Sequence, residues 1–197
     1  MKSARLNQQL PKHRQESAPV LDPVSYTSFK EHTYRDNLAA WDSVKFRRPA
    51  NEWNQYLDVG CGTGNFLKEH QLPRLRPCRR VVATDCSRDM LEYARSHTDE
   101  PEVTFELFDI ERGDPQTIVD KYGQFDRLYS FLTFQYVWDL ARAYKNVYRL
   151  LKDGGESLVV YFTRTAVTDV WYRVNQLEEW RDYTQVSSLV LSAELVA

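Results

Sequence analysis

Glycine is scarce in this 197-residue chain: there are seven, and three of them fall at Gly60, Gly62 and Gly64. Cysteine is scarcer still. Cys61, Cys78 and Cys86 are odd in number and lack Cys-x-x-Cys or Cys/His spacing, which argues against a disulfide framework and against a metal site of the zinc type. No apolar run approaches the length of a membrane span or a signal-peptide core, so no membrane partner is implied and a reducing cytoplasmic setting is the default expectation. An excess of one charge is missing too. With 26 Lys and Arg against 28 Asp and Glu, the net charge of −2 gives no basic surface of the kind that nucleic acid would require. What is present is material for a core. The chain is 42% hydrophobic and 13% aromatic, in a length that suits one domain.

Read in order, residues 1–24 are polar, hold three prolines and show no period, and are expected to form a disordered arm. Lys2, Arg5, Lys12 and Arg14 give it a basic start, but Pro11 interrupts any amphipathic presequence helix. From Ser25 to Phe46, Tyr26, Phe29, Tyr34, Leu38, Ala39 and Trp41 recur at loosely helical intervals, which predicts one or two helices ahead of a sheet. A first strand over Gln55–Val59 runs into the three glycines and then a helix from about Phe66 to His70, with Pro73 and Pro77 marking a loop. Further strands are expected at Arg80–Asp85, Val103–Phe108, Phe125–Phe131 and Glu156–Phe162. Helices are expected after Ser87 as cap, from Pro115 to Tyr122, from Val137 to Lys152 with a stop at Asp153-Gly154-Gly155, and from about Ala166 to Trp180. This strict alternation predicts an α/β fold: a doubly wound, mostly parallel sheet with right-handed crossovers.

In such a sheet a ligand lies across the carboxyl ends of the strands, where strand order reverses. Asp58 ends the first strand beside Gly60, Cys61, Gly62 and Asn65. Asp85 ends the second, 21 residues after Gly64, where an acid accepts hydrogen bonds from ribose hydroxyls. Asp109 and Ile110 end the third, a carboxylate and an apolar side chain suited to an adenine amino group and ring face. Ser130 and Phe131 end the fourth. Each acid alone also reads as a helix cap or turn residue. Four in succession at the right places read as one site.

The set Leu57-Asp58-Val59-Gly60-Cys61-Gly62-Thr63-Gly64, Thr84-Asp85-Cys86-Ser87-Arg88-Asp89-Met90, Phe108-Asp109-Ile110 and Leu151-Lys152-Asp153-Gly154-Gly155 resembles the class I S-adenosylmethionine-dependent methyltransferases. The later segments Phe125–Phe131, Val137-x-Asp139, Tyr144–Leu151, Asp169-Val170-Trp171 and Trp180–Tyr183 are similar to one family among them, the juvenile hormone acid methyltransferases of arthropods. The resemblance runs from about Tyr26 to Tyr183, within the span 25–183 expected to form the methyltransferase domain, and is weakest before Asn54. It implies S-adenosylmethionine as cofactor, held by Asp58, Gly60, Cys61, Gly62, Asn65, Asp85, Cys86, Met90, Asp109, Ile110, Ser130 and Phe131. It also implies methyl transfer to a small carboxylic acid of the isoprenoid type. No catalytic base is expected, because a carboxylate is already ionised at neutral pH. Phe131, Phe134, Tyr136 and Trp138 are candidates to line an apolar acceptor pocket, or equally to be core.

Three departures qualify the resemblance. Where the family shows His-Trp after the fourth strand, this chain has Gln135-Tyr136, the two candidate substrate residues. Where its N-terminal helix carries Gln-Arg-Arg-Asp, the match here is Thr33-Tyr34-Arg35-Asp36. After Tyr183 only a divergent tail, 184–197, remains, too short for the family's sixth and seventh strands. The reading expects a truncated or alternatively spliced product or a fragmentary gene model, with the fifth strand left as an apolar edge. A catalytically weak donor-binding domain that acts as partner or regulator is therefore the second reading. A nicotinamide-dependent reductase is disfavoured, because Asn65 stands where the dinucleotide fingerprint needs its last glycine. Such an enzyme would also need a proton donor of the Tyr-x-x-x-Lys kind, and Tyr144 and Tyr148 are read as not followed by Lys at that interval.

Overall fold

The computed structural model describes residues 22–28 and 30–162, with five further positions between 170 and 178. Its elements are α1 (Pro23–Thr27), α2 (Lys30–Ser43), β1 (Gln55–Val59), a π-helical turn (Leu67–Gln71) continued by α3 (Leu72–Leu75), β2 (Arg80–Asp85), α4 (Arg88–His97), β3 (Val103–Leu107), α5 (Gln116–Tyr122), β4 (Phe125–Phe131), a 3₁₀ turn (Phe134–Tyr136), α6 (Leu140–Leu150) and β5 (Leu151–Val160). The strands form one sheet in the order β3-β2-β1-β4-β5. Every neighbouring pair is parallel. The chain winds outward from β1 to β3, then returns to add β4 and β5 on the other side. The reversal falls between β1 and β4, the place where folds of this kind bind their ligands.

Helices on both faces require strands that are apolar on both sides. β1 and the Val81-Val82-Ala83 centre of β2 meet that demand, buried along their length. On one face Trp41 of α2, Leu67, Leu72 and Leu75 of the π-turn and α3, and Leu91 and Ala94 of α4 pack with Tyr56, Tyr129 and Phe131. On the other, Ile118 of α5 and Ala143, Val147 and Leu150 of α6 pack with Leu57, Val59, Leu128 and Phe134. The apolar spacing of α6, at 143, 147 and 150, is the helical period that buries one stripe. Its start is fixed by Asp139, whose side chain accepts from the Arg142 N–H. Ser87 caps α4 in the same way, accepting from the Met90 N–H at 3.3 Å.

The largest differences from the sequence reading lie at three element boundaries, each for a local reason. Pro73 does not end the helix after the glycine turn; the chain stays helical to Leu75. Proline lacks an N–H and clashes with the preceding turn of a regular helix. Here that preceding turn is π-helical, with the Leu72 N–H reaching back five residues to the Leu67 carbonyl, and the wider turn accommodates the ring. α6 begins at Leu140 rather than Val137, because a separate 3₁₀ turn occupies Phe134–Tyr136. It also ends at Leu150, and β5 starts at once. The Asp153-Gly154-Gly155 stretch is absorbed as an irregularity in the β4–β5 pairing, Phe125 opposing Leu151 and Arg127 opposing Glu156. Gly154 takes φ +70° there. Among the described residues β5 pairs only with β4. The expected last helix lies largely outside the described residues, although Val170, Arg173 and Val174 within it are helical. The tail 184–197 and residues 1–21 of the expected arm also lie outside them.

Candidate functional site

Gly60, Gly62 and Gly64 all have positive φ, at +75°, +54° and +73°. Gly60 is where the turn leaves β1, and the space on its side-chain side is already filled. A Cβ there would lie 1.9 Å from Thr133 Oγ1, on the loop after β4. The Gly60 and Cys61 N–H groups both donate to the Thr84 carbonyl, at 2.7 and 2.9 Å, which ties the turn to β2.

Asp85 completes that tie. Its Oδ2 accepts from the Gly62 N–H and its Oδ1 from the Ser87 N–H, both at 2.8 Å. One carboxylate therefore joins the glycine turn to the cap of α4. Burial pushes its pKa up, against the lowering effect of those two N–H donors and the Cys86 backbone. Cys86 beside it is exposed, within electrostatic reach of Asp85 and Asp109. Asp109 Oδ1 accepts from the N–H groups of Glu111 and Arg112 at 2.8 and 3.0 Å, which makes it a turn residue as well as a strand-end acid. Asp58 is 2% exposed. Burial pushes its carboxyl up to about 7, Gln71 lowers it, and the neighbouring Asp85 raises it further. Burial also drives the Cys61 thiol well up, with both acids adding to the effect.

Asp58, Gly60, Cys61, Gly62, Asp85 and Cys86 thus come together at the carboxyl ends of β1 and β2, with Asp109 on their β3 side. Other residues singled out from the sequence serve differently. Met90, Ile110 and Phe131 are buried. Ser130 Oγ is spent on the Val59 carbonyl at 2.8 Å, linking β4 to β1. Asn65 is half-buried where the chain turns helical. Gln135 Nε2 donates to the Leu132 carbonyl at 2.7 Å, its Oε1 is buried without a partner, and Tyr136 is exposed. Trp138 is also exposed, whereas Phe134 is core.

The sequence reading passed over three contributors. Tyr26 of α1 lies over Gly62, its ring 3.5 Å from where a Cβ would stand. Burial raises its hydroxyl pKa, and Tyr136, Asp85 and Cys61 add to the rise, so this phenol joins the N-terminal helix to the site. Thr133 and Gln71 are the other two. No local motif marks any of them, since each reaches the site through space. One further correction concerns the reductase alternative. Tyr148 and Lys152 do have the Tyr-x-x-x-Lys spacing, but Tyr148 is exposed and Lys152 is paired with Asp126 at 2.8 Å, near the start of β4 and away from the crevice. Among the described residues no group of His, Cys, Asp and Glu is placed to hold a metal, and no helix is long and apolar enough to cross a membrane.

A parallel 3-2-1-4-5 sheet with a three-glycine turn at its switch point and an acid ending each of β1 and β2 defines the Rossmann-like methyltransferase class. Residues 57–159, just over half of the chain, match the methyltransferase-domain family. The chain belongs to that family, and its cofactor is S-adenosylmethionine. It is 29% identical over 132 residues to a juvenile hormone acid O-methyltransferase of Bombyx mori, covering 67% of this chain and 46% of that protein. It is 34% identical over 131 residues to that of Drosophila melanogaster, covering 66% and 43%. A malonyl-[acyl-carrier protein] O-methyltransferase of Acetivibrio thermocellus is 38% identical over 99 residues, covering 50% and 32%. The chain thus spans less than half the length of these relatives. The fold is shared with Haemonchus contortus phosphoethanolamine N-methyltransferase 2, solved with S-adenosyl-L-methionine, at TM-score 0.52 and 20% identity over 76% of this chain and 31% of that one.

Proposed function

We propose that this chain is a methyltransferase that O-methylates the carboxylate of a small isoprenoid acid, of the farnesoic or juvenile hormone acid type. The observation that carries the donor half is the Asp85 bridge, which fixes the Gly62 and Ser87 N–H groups at one strand end. The residues fit the donor. Gly62 offers backbone without a side chain, Asp85 and Asp109 are acids at successive strand ends, and Asp58 supplies further negative character beside the turn. We assign Asp58, Gly60, Cys61, Gly62, Asn65, Asp85, Cys86 and Asp109 to the donor. Met90, Ile110, Ser130 and Phe131 act as the packed frame behind them. The acceptor half rests on the two juvenile hormone acid O-methyltransferase relatives. Bound donor supplies an electrophilic methyl group. The protein's work is to hold donor and acceptor in line and to exclude water, a source of large effective molarity. Gln135, Tyr136 and Tyr26 are the side chains assigned to the acceptor's edge of the crevice.

The second reading, a donor-binding domain without turnover, draws support from Gln135. Its amide is committed to the Leu132 carbonyl instead of facing a substrate. Calorimetric titration with S-adenosylhomocysteine, followed by transfer assays with farnesoic acid and other isoprenoid acids, separates the two. Binding with ester formation supports the enzyme. Binding without transfer to any acid supports the second reading. No binding by a chain that is folded by circular dichroism removes both.

A further inference from the structure

Gln71 closes the π-helical turn, and its side chain is turned inward to 1% exposure. The additional residue of a π-turn advances each later side chain by about 100° around the helix, which is what aims position 71 at β1. Its Nε2 donates to Asp58 Oδ2 at 2.9 Å, while its Oε1 is buried with no hydrogen-bond partner. Among the described residues, Gln71 is the one side chain that donates to the Asp58 carboxyl. Thr84 of β2 donates to the Asp58 backbone carbonyl instead, at 3.1 Å. The titratable groups that bear on Asp58 are Asp85 from the end of β2 and Cys61 from the turn; Arg95 of α4 acts on the Cys61 thiol and not on the Asp58 carboxyl.

Two deficits therefore sit in one hydrogen-bonded side-chain pair. A buried carboxylate with a single neutral donor is poorly solvated, and a buried amide oxygen without a donor costs about 1–3 kcal/mol. One hydrogen corrects both, because a carboxylic acid and a carboxamide can pair through N–H···O and O–H···O bonds together. We propose that in the donor-free protein Asp58 carries a proton that it shares with Gln71, and that the entering cationic donor expels this proton. On expulsion the Asp58 O–H bond breaks, its electron pair stays on the carboxylate, and the proton passes to buffer. Gln71 is then a positioning residue for donor binding. The upward displacement of the Asp58 pKa by burial agrees with this geometry. The inference rests on the reading that the donor binds beside Asp58.

The test is calorimetry of donor binding in buffers of different ionisation enthalpy, which counts protons, with S-adenosylmethionine and S-adenosylhomocysteine in parallel. A group of pKa about 7 that becomes fully ionised on binding releases about 0.9 proton at pH 6 and about 0.1 at pH 8. The donor's own α-amino group titrates alike in wild type and Asp58→Asn, so their difference reports Asp58. The expected result is a wild-type release in excess of that from Asp58→Asn, an excess that falls from pH 6 to pH 8 and is larger for the sulfonium ligand. Gln71→Leu, which needs no change at the carboxyl, is expected to keep the release but weaken binding at pH 8 at least threefold. Binding with no pH-dependent release, or with equal release from Asp58→Asn, overturns the shared proton and leaves the donor site standing. No binding of either ligand by folded protein removes the site and this inference with it.

Discussion

The two loops that meet over the switch point are built by opposite means. In the turn after β1 every positive φ falls on glycine, and the N–H groups of Gly60, Cys61, Gly62 and Gly64 all find acceptors within 3.0 Å. In the loop after β4 a positive φ of +56° falls on Leu132, whose Cβ makes that conformation cost about 1–2 kcal/mol. The same loop leaves Gln135 Oε1 unpaired and sends Tyr136 into solvent. One loop is a relaxed cradle, set before any ligand arrives. The other holds strain and an unmet polar group, and rearrangement on binding an acceptor can relieve both. Donor binding is therefore expected to depend on fixed geometry, and acceptor binding on adjustment.

Substitutions can break that contrast, most severely at Gly60. Gly60→Ala places a Cβ into Thr133 at a φ that favours glycine, and is expected to cost about 3–4 kcal/mol in urea denaturation. Adding Thr133→Ala should recover part of this, whereas equal stability of single and double variants would show that the clash is not the cause. Asp85→Ala frees the Gly62 and Ser87 N–H groups, and is expected to weaken S-adenosylhomocysteine binding by at least about 100-fold, or roughly 3 kcal/mol. A smaller effect, of opposite sign, is expected at Asp58. Its folded pKa of about 7 lies above the unfolded value near 3.8, so the folded state binds more protons. Its contribution is favourable at low pH and is lost as pH rises from about 4 to 7. Asp58→Asn, which can pair with Gln71 without a charge, should raise the stability of the unliganded protein by about 2–3 kcal/mol more at pH 8 than at pH 5. Thermal melts at both pH values check this. The mildest change sharpens the other loop. Gln135→Leu removes the unpaired oxygen together with the bond to Leu132, should alter stability by less than about 1 kcal/mol, and should change the acceptor KM while leaving S-adenosylhomocysteine affinity within twofold.

Local chemistry explains which parts of this molecule could be read from its sequence. The parallel α/β class and the ends of β1 and β2 follow from alternation, glycine spacing and the acids at 58 and 85, all visible within short windows. Pro73 misled because its effect depends on the kind of helical turn before it, and a π-turn has no signature in Leu67-Lys68-Glu69-His70-Gln71. Asp153-Gly154-Gly155 reads as a helix stop, yet β4 lies close enough to capture the chain from Leu151, so the helix stops two residues before its expected end. Ser130 and Phe131 were correctly placed at a strand end, but which way they face depends on β1 and α2. Tyr26 lies 36 residues from Gly62 and Thr133 lies 73 residues from Gly60, so both reach the glycine turn only through the finished fold.

The packing of α2 has an optical consequence. Trp41 lies nearly parallel to Tyr129 and Phe131, with ring centres 4.6 and 5.5 Å away and planes within 10° and 5°. Rings held so close and so flat couple their electronic transitions, giving near-ultraviolet circular dichroism that a loosely attached helix would lack. α2 follows the segment that carries Tyr26 over Gly62. The indole is thus a built-in reporter, and its dichroic signal can follow in real time whether the N-terminal helices stay seated as ligands enter and leave.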